Sequence, residues 1–174
     1  TAMSEVTTAL GVITAFYERD MDIRFVFPTK QDLLVYSTAN PDPFGSGQAN
    51  NDVGFLLGNN GQLSINPKLG LSGYDVGHVF TKYTGGGALG VGSLGVICQQ
   101  NKANGASSDG APTGNNFYAV AGQEIGHQFV GQHTFNFCGG NENGSTAYEP
   151  YCGSTIMAYS SWGPDLYFNN SSIE

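Results

Sequence analysis

The sequence predicts a single α/β domain. Two segments repeat apolar residues at helical spacing, one near the N-terminus and one at residues 116–129. Between them, short apolar runs bounded by Gly, Pro and Asn indicate strands. With 174 residues, 40% of them apolar, the chain is long enough to bury one core, and no linker or internal repeat divides it.

The N-terminal segment predicts a helix with Ser4 as its N-cap. Apolar side chains follow at helical spacing, at Val6, Leu10, Ile13 and Tyr17. Strands are expected next at residues 22–27 and 33–36, and residues 37–52 form a loop rich in Pro, Gly, Asn and Asp. A short helix is expected at residues 53–57.

Two further strands are predicted at residues 75–80 and 89–98. Glycines interrupt the second of them. They would permit close approach of another backbone, although a twisted or bulged edge explains them equally well. His78 lies in the first of these strands, where a structural histidine is favoured over a metal ligand.

The helix at residues 116–129 carries the chemically informative residues. At about 100° per residue, Gln123, Glu124 and His127 fall on one side of it. The opposite side is formed by Tyr118, Ala121, Ile125 and Phe129. One face can therefore hold a metal ion while the other enters the core.

The spacing of these polar residues is typical of a metal site. Two ligands four residues apart lie one helical turn apart and can bind one ion, and a third has to arrive after the chain has left the helix. Gln123 and His127 fit the first two positions and His133 fits the third. Glu124 lies beside the first ligand, where it could take a proton from a metal-activated water.

These residues resemble those of the metzincin metallopeptidases, and within them the reprolysin-like group. Four more segments look like that group in the same order: residues 74–80 (YDVGHVF), 94–98 (LGVIC), 133–136 (HTFN) and 153–159 (GSTIMAY). The resemblance implies a metzincin-like catalytic domain, in which a twisted mixed β-sheet and an active-site helix are followed by an irregular lower subdomain carrying His133 and a Met-turn at Met157.

The same resemblance implies a secreted endopeptidase with one catalytic zinc ion and a polypeptide substrate. Gln123, His127 and His133 would be its metal positions, and Glu124 the general base and then acid. Met157 would lie beneath the metal without binding it. Tyr159 either borders the pocket for a substrate side chain or merely packs.

Two positions depart from the family pattern. Gln123 stands where the family has His, and a carboxamide oxygen suits harder ions better than zinc, so zinc binding should be weakened. Val130 stands where the family has Gly, at a helix end that often requires a left-handed residue. Val130 therefore bears on where His133 is placed.

Several explanations of Gln123 stay open. The site can be naturally degenerate, deliberately inactivated, or a misassigned histidine. The alternative function is a non-catalytic polypeptide-binding pseudopeptidase, and a calcium-stabilised adhesion domain is a third, weaker one. Calcium is a candidate ion because of the Asp and Asn residues at 40–52, but they lack regular ligand spacing.

Charge and composition exclude some classes of partner, and the cysteines predict one disulfide. The formal charge of -8 argues against nucleic acid and anionic membranes as partners, and no apolar run is long enough for membrane insertion. Cys138 and Cys152 flank the loop between the metal motif and Met157, and a disulfide there would stabilise the fold by about 3 kcal/mol. Cys98 then has no partner among the three cysteines. It either pairs with a cysteine outside the sequence or is a buried free thiol.

The ends of the sequence lead us to expect one domain over residues 1–174 that lacks two elements of the family fold. The family begins one strand earlier, whereas this chain starts almost directly in a helix. The run Asn169-Asn170-Ser171-Ser172 is typical of the cap of a last helix that the sequence does not contain.

Overall fold

A computed structural model describes residues 1–37, 43–44, 61–82, 88–109 and 114–159 of the chain. In chain order the elements are helix α1 (Ala2–Met21), a 3₁₀ turn (Gln31–Leu34), helix α2 (Gly61–Leu69), a second 3₁₀ turn (Leu71–Gly73), strands β1 (Val79–Lys82), β2 (Gly90–Gly92) and β3 (Gly105–Asp109), and helix α3 (Asn115–Gln128). In these ranges no helix is long and apolar enough to cross a membrane.

The three strands form one mixed sheet in the order β1-β3-β2. Strand β3 pairs parallel with β1, with Val79 opposite Ala106, and antiparallel with β2, with Val91 opposite the same alanine. The predicted α/β class and mixed sheet are confirmed. The central strand β3 was not predicted, because its sequence GASSD contains none of the β-branched or aromatic residues that signal a strand.

The main core lies between α1 and α3. Buried Ile13, Phe16 and Tyr17 of α1 pack against Phe117 and Ile125 of α3. The Tyr17 hydroxyl donates a 2.7 Å hydrogen bond to the carbonyl of Gly122. A Cβ at Gly122 would lie 2.6 Å from Phe16 Cζ, so a glycine is needed for the two helices to approach this closely. This contact fixes the position of the helix that carries the site.

The beginning of the chain corrects two expectations. Helix α1 starts at Ala2 with Thr1 as its N-cap, and Ser4 lies in the first turn, where its amide donates to Thr1 Oγ1. No strand is present at residues 22–27 among the described residues, although Ile23 and Phe25 pack towards the core and Val26 is exposed. The alternation is real, but a strand also needs a hydrogen-bonded partner, which periodicity does not supply.

The next segment also differs from the prediction. Residues 33–36 do not form a strand, because bonds such as Leu33 N–H to Lys30 O close a 3₁₀ turn over Gln31–Leu34. The predicted helix at residues 53–57 lies outside the described residues, as does most of the loop at residues 37–52. Helix α2 was missed because Pro67 interrupts its pattern.

The predicted strands at residues 75–80 and 89–98 are each only partly present. Strand β1 begins later, at Val79, and β2 is limited to Gly90–Gly92. Beyond β2 the backbone leaves the sheet, because the amides of Gly95 and Ile97 donate instead to carbonyls in the last turn of α3. These bonds use carbonyls at the end of the helix, where the Gln128 carbonyl has no acceptor role inside the helix and the His127 carbonyl also accepts from Val130.

His78 belongs to a polar network behind the end of α3. Its Nδ1 lies 2.8 Å from Gln128 Oε1 and its Nε2 lies 2.9 Å from Ser107 Oγ. The Gln128 amide donates in turn to the carbonyls of Gly77 and Lys102. The contacts agree with the structural role expected for this histidine.

Acid should destabilise the protein through His78. Burial lowers its pKa to about 4, although the hydrogen bond with Gln128 opposes the shift. The unfolded chain, with a pKa near 6.5, then binds the proton first as the pH falls. The contribution of neutral, buried His78 to the free energy of unfolding is therefore present above pH 6.5 and is lost as the pH falls towards 4. Urea unfolding at pH 7 and pH 4.5 should show a loss of about 2 kcal/mol attributable to this residue.

The matched variant for this measurement is His78→Gln, which retains a polar side chain but has no titrating ring. It should be less stable at pH 7 but should lose less stability between the two pH values. An equal loss in both proteins would assign the acid sensitivity to other groups.

Candidate metal centre

Helix α3 spans Asn115–Gln128, within one residue of the predicted helix. Its last turn is closed by two bonds, from the Val130 amide to the His127 carbonyl and from the Gly131 amide to the Gly126 carbonyl. This pair of bonds defines a Schellman motif, which places the residue at position 130 in the left-handed region.

Val130 has a φ of 79°, as the expected left-handed helix end requires. A β-branched residue is strained there, and the Val130 side chain is 59% exposed, so packing offsets little of the cost. The turn nevertheless forms. The chain leaves the helix through it and reaches His133.

The two predicted histidine ligands meet at one point. His127 Nε2 and His133 Nε2 lie 3.1 Å apart, and the ring centroids are separated by 4.8 Å. The histidines come from different segments, one from the last turn of α3 and the other from the irregular chain that follows it.

Backbone carbonyls orient both rings. His127 Nδ1 lies 2.6 Å from the carbonyl oxygen of Gly131, and His133 Nδ1 lies 2.6 Å from that of Asn141. A carbonyl only accepts, so each Nδ1 carries the hydrogen and each Nε2 presents a lone pair in the neutral ring. Burial and, secondarily, nearby His133 lower the pKa of His127, whereas its bond to Gly131 opposes the shift. The neutral, ligating form is thereby favoured.

Gln123 lies one helical turn before His127 and is only 2% exposed. Its side-chain Nε2 is buried and has no hydrogen-bond partner. Rotation of the carboxamide by 180° would exchange this nitrogen with the oxygen, so the site offers a buried polar atom whose bonding capacity is unused. In the rotated orientation the carboxamide would present its oxygen here, an atom that can accept a hydrogen bond or bind a cation.

Glu124 lies on the same side of α3 and is 8% exposed. A Cβ on Gly90 would lie 2.7 Å from Glu124 Oε1, so this glycine of β2 leaves the space that the side chain fills. Burial raises the pKa of Glu124 to about 8, while a hydrogen bond from the Gly92 backbone works in the opposite direction. A carboxyl group whose pKa is close to neutrality is suited to proton transfer.

One comparison with known proteins identifies the family. The model of metallo-peptidase family M12B, reprolysin-like, matches residues 1–174. The chain belongs to this family. The search of curated proteins and the search of solved structures found no match.

The reprolysin-like assignment confirms the resemblance read from the sequence. M12B peptidases generally use zinc, so the two histidines are compared with the geometry of a zinc site. Two nitrogens, each 2.0–2.1 Å from a tetrahedral zinc ion, lie roughly 3.3 Å apart. The observed 3.1 Å between the two Nε2 atoms is close to that spacing. Within the described ranges no three His, Cys, Asp or Glu side chains are grouped so that they could hold a metal ion, and the third position here is a carboxamide. The residues thus fit a weak zinc site.

Met157 and Tyr159 each pack against a segment that carries one of the two histidines. A Cβ on Gly126 would lie 2.6 Å from Met157 Sδ, so the thioether packs against the turn of α3 that carries His127. The Tyr159 ring packs 5.0 Å from the His133 ring, and its hydroxyl accepts a hydrogen bond from Asn141 Nδ2. Tyr159 therefore packs on the third candidate ligand.

The cysteines follow the expected pairing. Cys138 and Cys152 form a disulfide that closes the loop between His133 and Met157. Cys98 is a free thiol. It is exposed, so the alternative of a buried free thiol is wrong, while a partner outside the sequence stays a prediction.

Sequence reasoning missed two residues that organise this site. Gln128 is fully buried and ties the end of α3 to the loops at Gly77 and Lys102. Glu149 accepts hydrogen bonds from Thr134 and from the turn before Met157. Neither residue matches a motif, and only the position of Gln128 directly after His127 could have drawn attention to it.

Replacing Val130 by glycine should stabilise the protein. Glycine adopts a positive φ without the left-handed penalty of about 1–2 kcal/mol. Part of this gain is offset because glycine loses more conformational entropy on folding than valine does. The expected net gain is about 1 kcal/mol in the free energy of unfolding, measured in urea. Val130→Ala is the matched control, because alanine keeps a Cβ, and it should gain less. A destabilised glycine variant would contradict this account of the turn.

Proposed function

We propose that this protein is a secreted zinc-dependent endopeptidase whose activity is reduced by Gln123. His127 and His133 would hold the metal ion, with the carboxamide of Gln123 as a poor third ligand. The polypeptide substrate and the extracellular setting follow from the reprolysin-like family, and the disulfide between Cys138 and Cys152 is consistent with an oxidising compartment.

One observation carries the proposal: the two Nε2 atoms lie 3.1 Å apart while a carbonyl occupies each Nδ1. Two lone pairs facing each other at this distance repel unless a cation or a proton lies between them. Carbonyl partners that fix the Nδ1–H tautomer are characteristic of histidines that bind metal.

The chemistry divides between the ion and the chain. A bound zinc ion would act as a Lewis acid on the scissile carbonyl and lower the pKa of a water molecule. Glu124 lies one residue after the first ligand position, and its carboxylate would take a proton from the attacking water and return it to the leaving amine. Gly90 leaves room for that carboxyl group, and the Gly92 backbone donates a hydrogen bond to it.

Zinc titration of the purified 174-residue chain tests the proposal. All variants should carry Cys98→Ser, because an exposed thiol binds zinc adventitiously. The chain is expected to bind one zinc ion weakly, and His133→Ala should abolish this binding while leaving the far-UV circular dichroism unchanged. Unaltered zinc binding in His133→Ala would exclude this site.

The alternative is a polypeptide-binding pseudopeptidase. It predicts that the chain binds unfolded polypeptide and cuts none, even after the imidazole at position 123 is restored. That outcome would replace the peptidase assignment.

A further inference from the structure

We propose that Glu149 is a positioning residue that holds the third candidate ligand, His133, in register with the turn that carries Met157. The proposal rests on the proposed function, because it concerns the same metal centre. Glu149 lies outside the metal motif, so the motif itself gives its carboxylate no role.

Five donors converge on the carboxylate of Glu149. Its Oε1 accepts hydrogen bonds from the hydroxyls of Thr134 and Thr155, both at 2.5 Å. Its Oε2 accepts from the amides of Ser154 and Thr155, at 2.5 and 3.0 Å, and from the Ser154 hydroxyl at 3.2 Å. One side chain therefore joins the residue after His133 to the turn that leads to Met157.

The backbone of Glu149 binds the same segment on its other side. Its amide donates to the Thr134 carbonyl at 2.8 Å, and its carbonyl accepts from the Asn136 amide at 3.0 Å. These bonds form a short parallel bridge between Phe135 and Glu149. The Thr134 amide also donates to the Met157 carbonyl at 3.3 Å, which closes the connection directly.

The turn is shaped to receive a carboxylate. Gly153 has a φ of 68°, and a Cβ at that position would lie 2.9 Å from Glu149 Oε2. A larger residue would therefore displace either the turn or the carboxylate. Burial alone would raise the pKa of Glu149, but the hydrogen bonds from Thr134, Thr155 and Ser154 lower it, so the group is ionised at neutral pH. Within the described ranges no lysine or arginine forms an ion pair with it.

The consequence for the metal centre follows from chain connectivity. His133 directly precedes Thr134, so any displacement of Thr134 moves the His133 ring relative to His127. Met157 lies two residues after Thr155 and packs against Gly126, next to His127. Loss of the Glu149 carboxylate should separate the two Nε2 atoms even if the fold is retained.

The test replaces Glu149 by methionine, which has a similar shape but accepts no hydrogen bonds. In a Gln123→His, Cys98→Ser background, zinc affinity should fall about 10- to 100-fold, the range found when groups that orient metal ligands are removed. Glu149→Gln should lose less. Its carbonyl oxygen can keep the two amide bonds, and the threonine hydroxyls can turn to accept from its NH₂ group.

The matched control is Glu142→Gln, because glutamine removes the charge but can still accept the bonds that hold the turn carrying Asn141. Glu142 is an exposed carboxylate in the same loop that accepts hydrogen bonds from the amides of Cys138 and Gly140. The control removes the same charge and should leave zinc affinity within about twofold. An equal loss in Glu142→Gln and Glu149→Met would assign the effect to loop charge and overturn the proposal.

A second measurement needs no metal. Ring ¹⁵N NMR of the zinc-free chain should show the Nδ1–H form for His133, and Glu149→Met should shift His133 towards a free tautomer mixture. The His78 ring, which lies in a different network, should not change. The ring signals test the role of Glu149 even if the Gln123→His, Cys98→Ser background binds no zinc. Absence of zinc binding in that background would refute the proposed function but not the positioning role of Glu149.

If Glu149→Met does not fold, Thr134→Val decides the question, because it removes only the hydroxyl bond beside His133. It should weaken zinc binding in the same direction and shift the same ring signals. Unchanged zinc affinity together with unchanged His133 signals, in whichever variant folds, would overturn the positioning role.

Discussion

Restoring histidine at position 123 is expected to raise zinc affinity by about 100-fold or more. Structural zinc sites bind with roughly 10–16 kcal/mol shared among four ligands, so one good ligand contributes about 3 kcal/mol. Gln123 is buried one turn before His127 and already has a side-chain atom without a hydrogen-bond partner, so an imidazole there replaces an unsatisfied group. Competition titration with a chelator measures the change.

The matched control for Gln123→His is Gln128→His, at a buried glutamine one residue after His127. Its side chain bonds to Gly77, Lys102 and His78 and does not belong to the ligand set, so an imidazole there should not raise zinc affinity. Equal zinc affinities in the parent chain and in Gln123→His would mean that position 123 is not a ligand position. The gain should not require Val130→Gly, because the two Nε2 atoms already lie 3.1 Å apart with Val130 in place.

Hydrolysis should depend on Glu124 once zinc binding is restored. In the Gln123→His background, Glu124→Gln should lower kcat by about 10²–10⁴, the contribution typical of a general base. Glutamine has the same shape as glutamate, so it should fit the space beside Gly90 and leave zinc stoichiometry unchanged. Cleavage of an unfolded protein substrate, together with metal analysis of the same samples, measures both quantities.

Glu142→Gln is the matched control for this second prediction, because it neutralises an exposed carboxylate outside the metal centre. It should retain kcat. If Gln123→His binds stoichiometric zinc but its Glu124→Gln variant cuts substrate at the same rate, then Glu124 is not the base. If neither protein cuts any polypeptide, the pseudopeptidase alternative is favoured.

Strand predictions failed where strand formation depended on distant partners. Residues 22–27 alternate between partly buried and exposed positions, yet within the described ranges they pair with no strand. Strand β3 has a polar, glycine-containing sequence and still occupies the centre of the sheet, because β1 and β2 bond to its two edges. A local pattern reports which side chains can be buried, whereas pairing depends on backbone contacts far apart in the sequence.

The sequence by itself determined the family, the α/β class and helix α3, because helical periodicity and ligand spacing are local properties. It also indicated that residue 130 needs a left-handed backbone, and Val130 adopts one. Only the tertiary structure decided how the candidate metal centre is supported. The carbonyls of Gly131 and Asn141 orient the two imidazoles, and Glu149 joins the His133 segment to the turn before Met157. These contacts depend on irregular segments whose hydrogen bonds have no periodicity to detect, so they become visible only once the chain has folded.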